Sequence, residues 1–347
     1  MQIRSTLTQR TCKPRRQPTP KEQPQETPGW LAPLHDLTVG ARMLGAGQLY
    51  RMARTKLAKK IAKNPPLQNE SEAQIKDPVV FVPGWTTTRE AFDPLADKLL
   101  KDGRNGGVLV FVSNGEFYTD RDCTSLFQSN QLQSADAKVF EVVFSDVRLP
   151  PDKSSKELKT NFKAIRELTG ADKIDVNAFS MGGLATRVYL DQGGNDIDQV
   201  LFLGTPHRGT KFAGLASRAF ERDIQWALSF AGLIPADREA LKWLSPENEG
   251  NDRLRALNER WPEQKSQVNE AHFACGTGIL TAAPGLWPLT DGDGLVAFDA
   301  AAPPGEVPAA LPKQVHGLAN NSSAAYREMS NFFGWQEQTD QQPKNSR

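Results

Sequence analysis

One segment near the middle of the chain restricts its fold more than any other, because a strand pattern passes into a helix pattern across one small-residue turn. Residues 173–179 read as a short strand, and residues 184–190 carry apolar side chains three and four apart, as in a helix. Between them stands Ser180, with Ala178 and Gly182 on either side. Small residues let a strand and the following helix approach closely. The pattern therefore predicts a sharp, strained turn that holds the serine hydroxyl clear of the sheet.

The same residues also fit a simpler interpretation. A serine at the start of a helix commonly caps it, and a turn of this kind usually has Gly where this chain has Ala178. The segment alone leaves both interpretations open, so the decision rests on motifs elsewhere in the chain.

Two further strand patterns end in loops of distinctive composition. Residues 78–82 form a β-branched run that continues into Pro83-Gly84-Trp85, and residues 199–204 form an apolar run that continues into Thr-Pro-His-Arg-Gly-Thr, residues 205–210. Short apolar runs of this kind are typical of strands that a parallel sheet buries on both faces. They indicate three buried strands that end in loops.

The order of strand, Pro-Gly-Trp loop, serine turn and Thr-Pro-His-Arg-Gly-Thr loop resembles the lipase and esterase branch of the α/β-hydrolase superfamily, over about residues 78–335. In that family the serine turn is the nucleophile elbow. The resemblance implies an α/β fold with an eight-stranded, mostly parallel sheet and helices on both faces, with a helical lid at about residues 211–265. It also implies hydrolysis of carboxylic esters by a serine, an acid and a histidine in that chain order.

The base of such a triad has few candidates, because the chain contains 4 histidines. His35 precedes the hydrolase region. His207 lies in the loop where the family carries a structural histidine, and His272 lies within a strand pattern, where a packed histidine is the usual case. His316 lies on a loop just before the C-terminal helix pattern, so we predict that it is the base.

The acid is expected in the turn that contains Asp291 and Asp293. The family writes this site as Asp-Gly followed by two apolar residues, which Asp293 matches through Gly294-Leu295-Val296 and Asp291 does not. We therefore predict Asp293, with Asp291 as the alternative. Alternating Asp and Gly also suit a plain turn or a weak calcium loop, although one such pair offers too few ligands for a metal.

The resemblance then assigns a role to each residue. Ser180 attacks the ester carbonyl, His316 takes its proton, and Asp293 orients the imidazole. The backbone N–H groups of Met181 and Trp85 form the oxyanion hole. No cofactor or metal is expected. Two positions depart from many relatives, which have His where this chain has Pro83 and Phe179; neither position belongs to the triad, so the departures concern the shape of the pocket.

The ends of the chain differ in composition from its centre. Residues 1–66 hold 13 Lys and Arg against 3 Asp and Glu, whereas the whole chain has a net charge of +1. Residues 1–29 are predicted to be a disordered tail, residues 30–66 a basic helical segment, residues 67–77 a linker and residues 336–347 a second disordered tail. The basic helix pattern at 31–63 would suit an anionic membrane surface. A solvated helix that covers the acidic hydrolase domain is the alternative we favour, and nucleic-acid binding is not expected because no recognition fold accompanies the charge.

Targeting and redox signals are sparse. The N-terminus lacks the apolar run of a signal peptide and no stretch approaches a membrane span, which favours a cytoplasmic or peripheral membrane protein. Cys12, Cys123 and Cys275 show no metal or redox spacing, and a bridge between Cys123 and Cys275 stays open. The polar stretch 113–138 between two strand patterns is interpreted as an insertion.

These features predict a serine ester hydrolase of lipase or carboxylesterase type that acts on an apolar acyl ester or lipid. A phospholipase or thioesterase would use the same triad, and an acyltransferase would differ only in the acceptor of the acyl group. A catalytically silent lipid-binding module is the alternative from another class.

Overall fold

The computed structural model describes residues 73–87, 91–128, 130–132, 136–221, 235–281 and 290–337. The predicted tail 1–29, the basic segment 30–66 and residues 338–347 of the second predicted tail lie outside the described residues, as does His35. Within the described residues no helix is both long and apolar enough to cross a membrane.

A central sheet of eight strands organises the molecule. The strands are β2 Val79–Val82, β3 Leu109–Ser113, β4 Glu116–Tyr118, β5 Val139–Val142, β6 Ile174–Phe179, β7 Ile197–Leu203, β8 Glu270–Thr277 and β11 Ala309–Pro312. Their spatial order is β11-β8-β7-β6-β2-β5-β3-β4. All neighbours are parallel except β3 and β4, which pair antiparallel. The predicted α/β fold with an eight-stranded, mostly parallel sheet is confirmed.

Four shorter strands lie outside the central sheet. They are β1 Ala73–Gln74, β9 Ile279–Thr281, β10 Thr290–Gly292 and β12 Gln336–Glu337. They form two antiparallel pairs, β1 with β12 and β9 with β10. The second pair leads into the turn that holds the candidate acid.

Eight α-helices are found among the described residues. They are α1 Asp93–Leu100, α2 Pro151–Thr169, α3 Met181–Asp191, α4 Lys211–Glu221, α5 Arg238–Leu244, α6 Asp252–Glu259, α7 Trp261–Lys265 and α8 Ser323–Phe332. Short 3-10 turns follow α1 at Lys101–Gly106 and precede α8 at His316–Asn321. The region predicted as a lid thus contains α4 to α7.

Both faces of the sheet are buried beneath these helices. On one face Val80 and Val176 pack with Phe162 of α2 and Tyr189 of α3. On the other face Phe81 and Leu201 pack with Leu95 of α1 and with Tyr326 and Met329 of α8. Because both faces are covered, β2 and β6 are buried at every position, which explains the unbroken apolar run of β2. β6 also buries two polar side chains, Asp175 and Asn177.

Helix α2 shows how local sequence sets the length of a helix. Pro151 occupies the first turn, where its missing N–H is not needed, and Gly170 ends the helix at φ 71° with its N–H donating to the Arg166 carbonyl oxygen at 2.8 Å. Leu158, Phe162 and Ile165, spaced four and three apart, have no exposed surface. Burying each such side chain stabilises the fold by about 1.5–3 kcal/mol.

Three predicted boundaries differ from the structure. The segment predicted as a linker, 67–77, contributes β1, because Ala73 and Ile75 are 1% exposed and the Ile75 N–H donates to Asn105 Oδ1 at 2.8 Å. The second predicted tail begins with β12, which pairs with β1. The polar stretch 113–138 contains β4, which extends the sheet by one antiparallel edge strand. No disulfide bond joins Cys123 to Cys275.

Hydrogen bonds from a buried arginine connect α3 to α6 and α7. The Arg187 guanidinium has no exposed surface and donates to Gln264 Oε1 at 2.9 Å, to Asn258 Oδ1 at 2.7 Å and to the Leu257 carbonyl oxygen at 2.8 Å. Burial lowers the pKa of Arg187 to about 9. Among the described residues no carboxylate forms an ion pair with this guanidinium, and its hydrogen-bond acceptors are the three neutral oxygens and His207 Nδ1 at 3.2 Å. The arginine therefore ties the helix after the candidate nucleophile to two helices of the predicted lid region.

We predict that Arg187→Lys lowers the free energy of unfolding by roughly 2–4 kcal/mol, because an ammonium has three donors on one atom and cannot reach the four acceptors that surround the planar guanidinium. Arg260→Lys is the matched control. Arg260 pairs with Asp191 at 2.7 Å but its side chain is 51% exposed, so its loss should stay below about 1 kcal/mol. Urea unfolding of both variants measures the difference, and equal losses would contradict the prediction.

We also predict a pH-dependent effect of Asp175→Asn. Burial, followed by the charges of Asp198 and Asp77, raises the pKa of Asp175 to about 7, and Asp175 Oδ1 has no hydrogen-bond partner among the described residues. A folded-state pKa above the unfolded value of 3.8 means that stability falls as pH rises from about 4 to 7.

Asp175→Asn removes the ionisable group, so the stability of this variant does not fall over that pH range. It should be more stable than the native chain at pH 8 by on the order of 2–4 kcal/mol, with a much smaller difference at pH 4.5. Urea titrations at the two pH values test this. A difference that does not change with pH would show that the carboxyl is already ionised in the folded protein.

Candidate active site

Ser180 occupies a strained turn between β6 and α3. Its backbone has φ 53° and ψ −128°, a conformation that L-residues rarely adopt. The Ser180 N–H donates to the Leu203 carbonyl oxygen at 2.9 Å, and the Ser180 carbonyl oxygen accepts from the Gly183 N–H at 3.0 Å. These bonds fix the turn against β7. Ser180 is therefore held at the carboxyl end of β6 by the backbone and not by a side-chain cap, since no such cap is found.

Close approach of three segments explains the small residues around the turn. A Cβ atom at Gly182 would lie 2.5 Å from the Pro83 carbonyl oxygen, and one at Gly84 would lie 2.6 Å from Ser180 Cβ. Similarly, a Cβ at Gly183 would lie 2.0 Å from Thr205 Oγ1. The loops after β2 and β7 thus press directly on the turn, and any larger residue at these three positions would push them away.

Ser180, His316 and Asp293 form one hydrogen-bonded chain. His316 Nε2 lies 2.9 Å from Ser180 Oγ, and His316 Nδ1 lies 2.6 Å from Asp293 Oδ2. A carboxylate only accepts, so Nδ1 carries the proton and Nε2 accepts from the serine hydroxyl. The three residues are 8%, 6% and 1% exposed, respectively, which removes most competing water.

The Asp293 carboxylate has four donors around it. Oδ1 accepts from the N–H of Leu295 at 2.9 Å and of Val296 at 2.7 Å. Oδ2 accepts from His316 and also from the Cys275 thiol, whose sulfur is 3.7 Å away. Burial and the neighbouring carboxylate raise the pKa of Cys275, so the thiol stays protonated and donates. In addition, the backbone N–H of His316 donates to the backbone carbonyl oxygen of Asp293 at 3.0 Å, which joins the two loops.

Asp291, the alternative acid, lies in β10. It is exposed, and its Oδ1 accepts from the N–H of Gly278 at 2.7 Å and of Gly292 at 2.9 Å. These bonds join the end of β10 to the residue before β9 and leave the carboxylate without a histidine partner among the described residues. In the part of the chain that the structure describes, no group of three or more His, Cys, Asp or Glu side chains is placed to hold a metal ion.

The other two described histidines have structural partners. His207 Nδ1 accepts from Arg187 at 3.2 Å, and burial, together with the charges of Arg187 and Arg208, lowers the pKa of His207 well below its ordinary value. It therefore stays neutral beneath the Thr-Pro-His-Arg-Gly-Thr loop. His272 Nε2 lies 2.6 Å from Glu328 Oε1, on the α8 side of the sheet. Neither histidine reaches Ser180.

The loop after β2 leaves one backbone donor beside the serine. The Thr87 N–H closes a turn to the Gly84 carbonyl oxygen at 3.4 Å, and the Thr86 N–H bonds the Val147 carbonyl oxygen at 3.2 Å. The Trp85 N–H, which precedes these two, has no acceptor among the described residues, and neither has the N–H of Met181 at the start of α3. The two backbone donors predicted for the oxyanion hole are thus both without an acceptor in the part of the chain that the structure describes.

Apolar side chains surround these donors. Met181 belongs to a buried cluster with Leu184 and Val188 of α3 and with α4, α5 and α6, and Trp85 and Phe212 pack against this cluster while remaining partly exposed. On the opposite side Phe179 lies 5.0 Å from the His316 ring, between ring centroids. The site thus presents an apolar wall next to the candidate nucleophile, built largely from the region predicted as a lid.

Sequence reasoning missed two contributors to this geometry. The sequence presents Cys275 only as a possible disulfide partner of Cys123, whereas its thiol reaches the candidate acid. The Val147 carbonyl oxygen accepts from the Thr86 N–H and so holds the loop after β2, which we call the oxyanion loop because Trp85 is a predicted oxyanion donor. Neither contact leaves a signal in the sequence, because a backbone carbonyl has no residue type and an isolated cysteine has many uses.

A family model described as an α/β hydrolase of unknown function (DUF915) matches residues 66–213, which include β2, the serine turn and the Thr-Pro-His-Arg-Gly-Thr loop. The region with the candidate acid and base lies beyond the match.

Two curated relatives are triacylglycerol lipases, from Pseudarthrobacter phenanthrenivorans and Burkholderia plantarii. Each is 27% identical over 158 residues, which is 45% of this chain and 48% and 43% of the respective lipase. The alignment therefore spans less than half of either lipase. Among solved structures, the mature lipase BlEst2 of Bacillus licheniformis has a TM-score of 0.47 and 15% identity, over 76% of this chain and 94% of that one.

The sheet order and the matched family model lead to the same conclusion. The chain has the α/β-hydrolase fold, and the match supports its assignment to the α/β-hydrolase superfamily.

Proposed function

We propose that this protein is a serine ester hydrolase of lipase or carboxylesterase type. One observation carries the proposal, namely the hydrogen-bonded chain from Ser180 Oγ through His316 to the buried Asp293 carboxylate, with distances of 2.9 and 2.6 Å. A serine hydroxyl is a weak nucleophile until a neighbouring base can accept its proton. The strained turn and the two unpaired backbone donors supply the other requirements of acyl transfer.

Acylation begins when Ser180 Oγ attacks the ester carbonyl carbon and its proton passes to His316 Nε2. The carbonyl π electrons move to oxygen, and the N–H groups of Met181 and Trp85 donate to the resulting oxyanion. When the tetrahedral intermediate collapses, the bond to the alcohol oxygen breaks and the alcohol leaves with the proton from His316. Water then repeats the sequence on the acyl-enzyme and releases the carboxylic acid.

Asp293 fixes the base during these steps. Its Oδ2 accepts the Nδ1 proton, so Nε2 faces the serine with a free lone pair, and its charge stabilises the imidazolium that forms. The bonds from Leu295, Val296 and Cys275 prevent the carboxylate from rotating away. A buried carboxylate with these donors holds one orientation, which keeps the reacting atoms aligned.

The substrate that the site fits best is an ester of an apolar acyl group. Trp85, Met181 and Phe212 place apolar surface beside the oxyanion donors, where the acyl chain of an attacked ester would lie. The relatives named triacylglycerol lipase are consistent with that chemistry. A thioester or phospholipid would use the same steps, and an acyltransferase would replace water by another alcohol in the second half.

We predict that a fluorophosphonate probe labels the native chain and that Ser180→Ala abolishes both labelling and hydrolysis of p-nitrophenyl esters. The expected loss of kcat is several orders of magnitude, because the covalent step disappears. Ser125→Ala, at an exposed serine, is the control and should label normally. Esters of short and long acyl chains, assayed in parallel, separate esterase from lipase preference. A folded native chain that neither labels nor hydrolyses would overturn the proposal in favour of a lipid-binding module.

We predict that Asp293→Asn lowers kcat by roughly 10³–10⁴-fold, because the amide can present its NH₂ group to Nδ1 and so favour the wrong tautomer. Asp291→Asn is the matched control two residues away. It should retain activity within about tenfold, because the Asp291 carboxylate accepts only from the backbone N–H groups of Gly278 and Gly292. Steady-state kinetics of the two variants compare them directly. The opposite ranking would make Asp291 the acid.

A further inference from the structure

A threonine in the oxyanion loop carries a hydroxyl without a partner. Thr87 closes the turn that begins at Gly84, through its own N–H. Its Oγ1 is buried and makes no hydrogen bond among the described residues. Thr86, the residue before it, is exposed, and its N–H is already taken by Val147. The loop thus contains two adjacent threonines, and only the second keeps its hydroxyl inside the protein.

The Thr87 hydroxyl and Ser180 share the same small space in front of Gly84. The Cβ position of an alanine at residue 84 would lie 3.1 Å from Thr87 Oγ1 and 2.6 Å from Ser180 Cβ. Both atoms therefore lie on the same side of the Gly84 Cα. The Trp85 N–H, one of the two unpaired backbone donors, belongs to the peptide that follows this Cα. The absence of a side chain at Gly84 therefore leaves the Thr87 hydroxyl and Ser180 next to the same small space, beside the peptide that carries the Trp85 N–H.

A buried hydroxyl without a partner is unfavourable by about 1–3 kcal/mol, so its persistence needs a compensating use. The hydroxyl rotor turns freely about its bond, and its proton can point to any acceptor that arrives in front of Gly84. In the resting chain no described group offers one. During acyl transfer, however, the oxyanion forms in the space between the Trp85 and Met181 donors, and it is a strong acceptor.

We propose that Thr87 is a further catalytic residue, whose side-chain hydroxyl donates a third hydrogen bond to the oxyanion beside the N–H groups of Trp85 and Met181. The inference rests on the proposed ester hydrolysis. The Thr87 proton stays on Oγ1 throughout, so no bond other than the hydrogen bond forms or breaks. The bond forms with the charge on the oxygen, and it therefore stabilises the transition state more than the bound ester.

The test compares Thr87→Val, Thr87→Ser and Thr86→Val in the full chain. Valine keeps the shape of threonine and removes the hydroxyl, serine keeps the hydroxyl, and position 86 provides the same substitution on an exposed neighbour. With a short-chain p-nitrophenyl ester, Thr87→Val should lower kcat by roughly 10²-fold with KM changed less than about threefold. Thr87→Ser should restore most of the activity, and Thr86→Val should match the native chain.

A second readout separates catalysis from packing. A trifluoromethyl ketone forms a tetrahedral adduct with the serine and places an oxyanion in the hole, so its affinity should fall in Thr87→Val about as much as kcat. The affinity for the corresponding ground-state alcohol product should not change. If valine lowers the unfolding free energy in urea, Thr87→Ala serves as a second variant with the same expected loss and the same rescue by serine.

Three results would overturn the inference. Thr87→Val could be as active as the native chain, it could lose activity through KM alone, or Thr87→Ser could be as impaired as valine. In each case the native chain still hydrolyses the ester, so the proposed function survives. A native chain that neither hydrolyses the ester nor reacts with a fluorophosphonate removes the reaction itself and overturns both proposals.

Discussion

The close contact of β6, α3 and the loops after β2 and β7 is the constraint on which the rest of the site depends. Ser180 is at φ 53° because the chain must reverse from strand to helix within one residue. That reversal is tolerated only where Gly84, Gly182 and Gly183 let neighbouring backbone and the Thr205 side chain fill the space. The same contacts place the loop that carries Trp85 against the turn that carries Ser180 and Met181. One steric arrangement thus positions the candidate nucleophile and the segments that carry both proposed backbone donors.

The negative charge of the Asp293 carboxylate is buried, and hydrogen bonds stabilise it there. Asp293 is 1% exposed, a position where an unpaired carboxylate would be strongly unfavourable. Two backbone N–H groups, a thiol and the imidazole occupy its acceptor positions. The thiol lies in β8, the candidate acid directly follows β10, and the candidate base lies in the loop after β11. The parallel neighbours β8 and β11 bring the thiol and the histidine to one edge of the central sheet, and the antiparallel β9–β10 pair, which follows β8, brings Asp293 to the same edge.

The sequence allowed the fold and the candidate triad to be predicted because both depend on local patterns. The buried strands show as apolar runs, the serine turn shows as a strand-to-helix change, and the register of Asp293 differs from that of Asp291 by its apolar followers. Contacts between distant residues could not be predicted in this way. The β1–β12 pair joins two segments that read as polar linker and tail, and the Thr86 bond to Val147 involves only backbone atoms. Such contacts depend on the folded topology and not on residue type.

Arg187 connects this site to the region predicted as a lid, and its burial limits what that region can do. The guanidinium lies on α3, about two helix turns beyond Ser180, and its partners on α6 and α7 are its only described acceptors besides His207 Nδ1. Moving α6 and α7 away would leave a buried cation and several buried polar groups without partners, which is strongly unfavourable. Helices α6 and α7 therefore help to hold the helix that follows the candidate nucleophile. A lid that opens over the acyl site would have to hinge before Asp252, where α4 and α5 contribute the apolar wall beside Trp85 and Phe212.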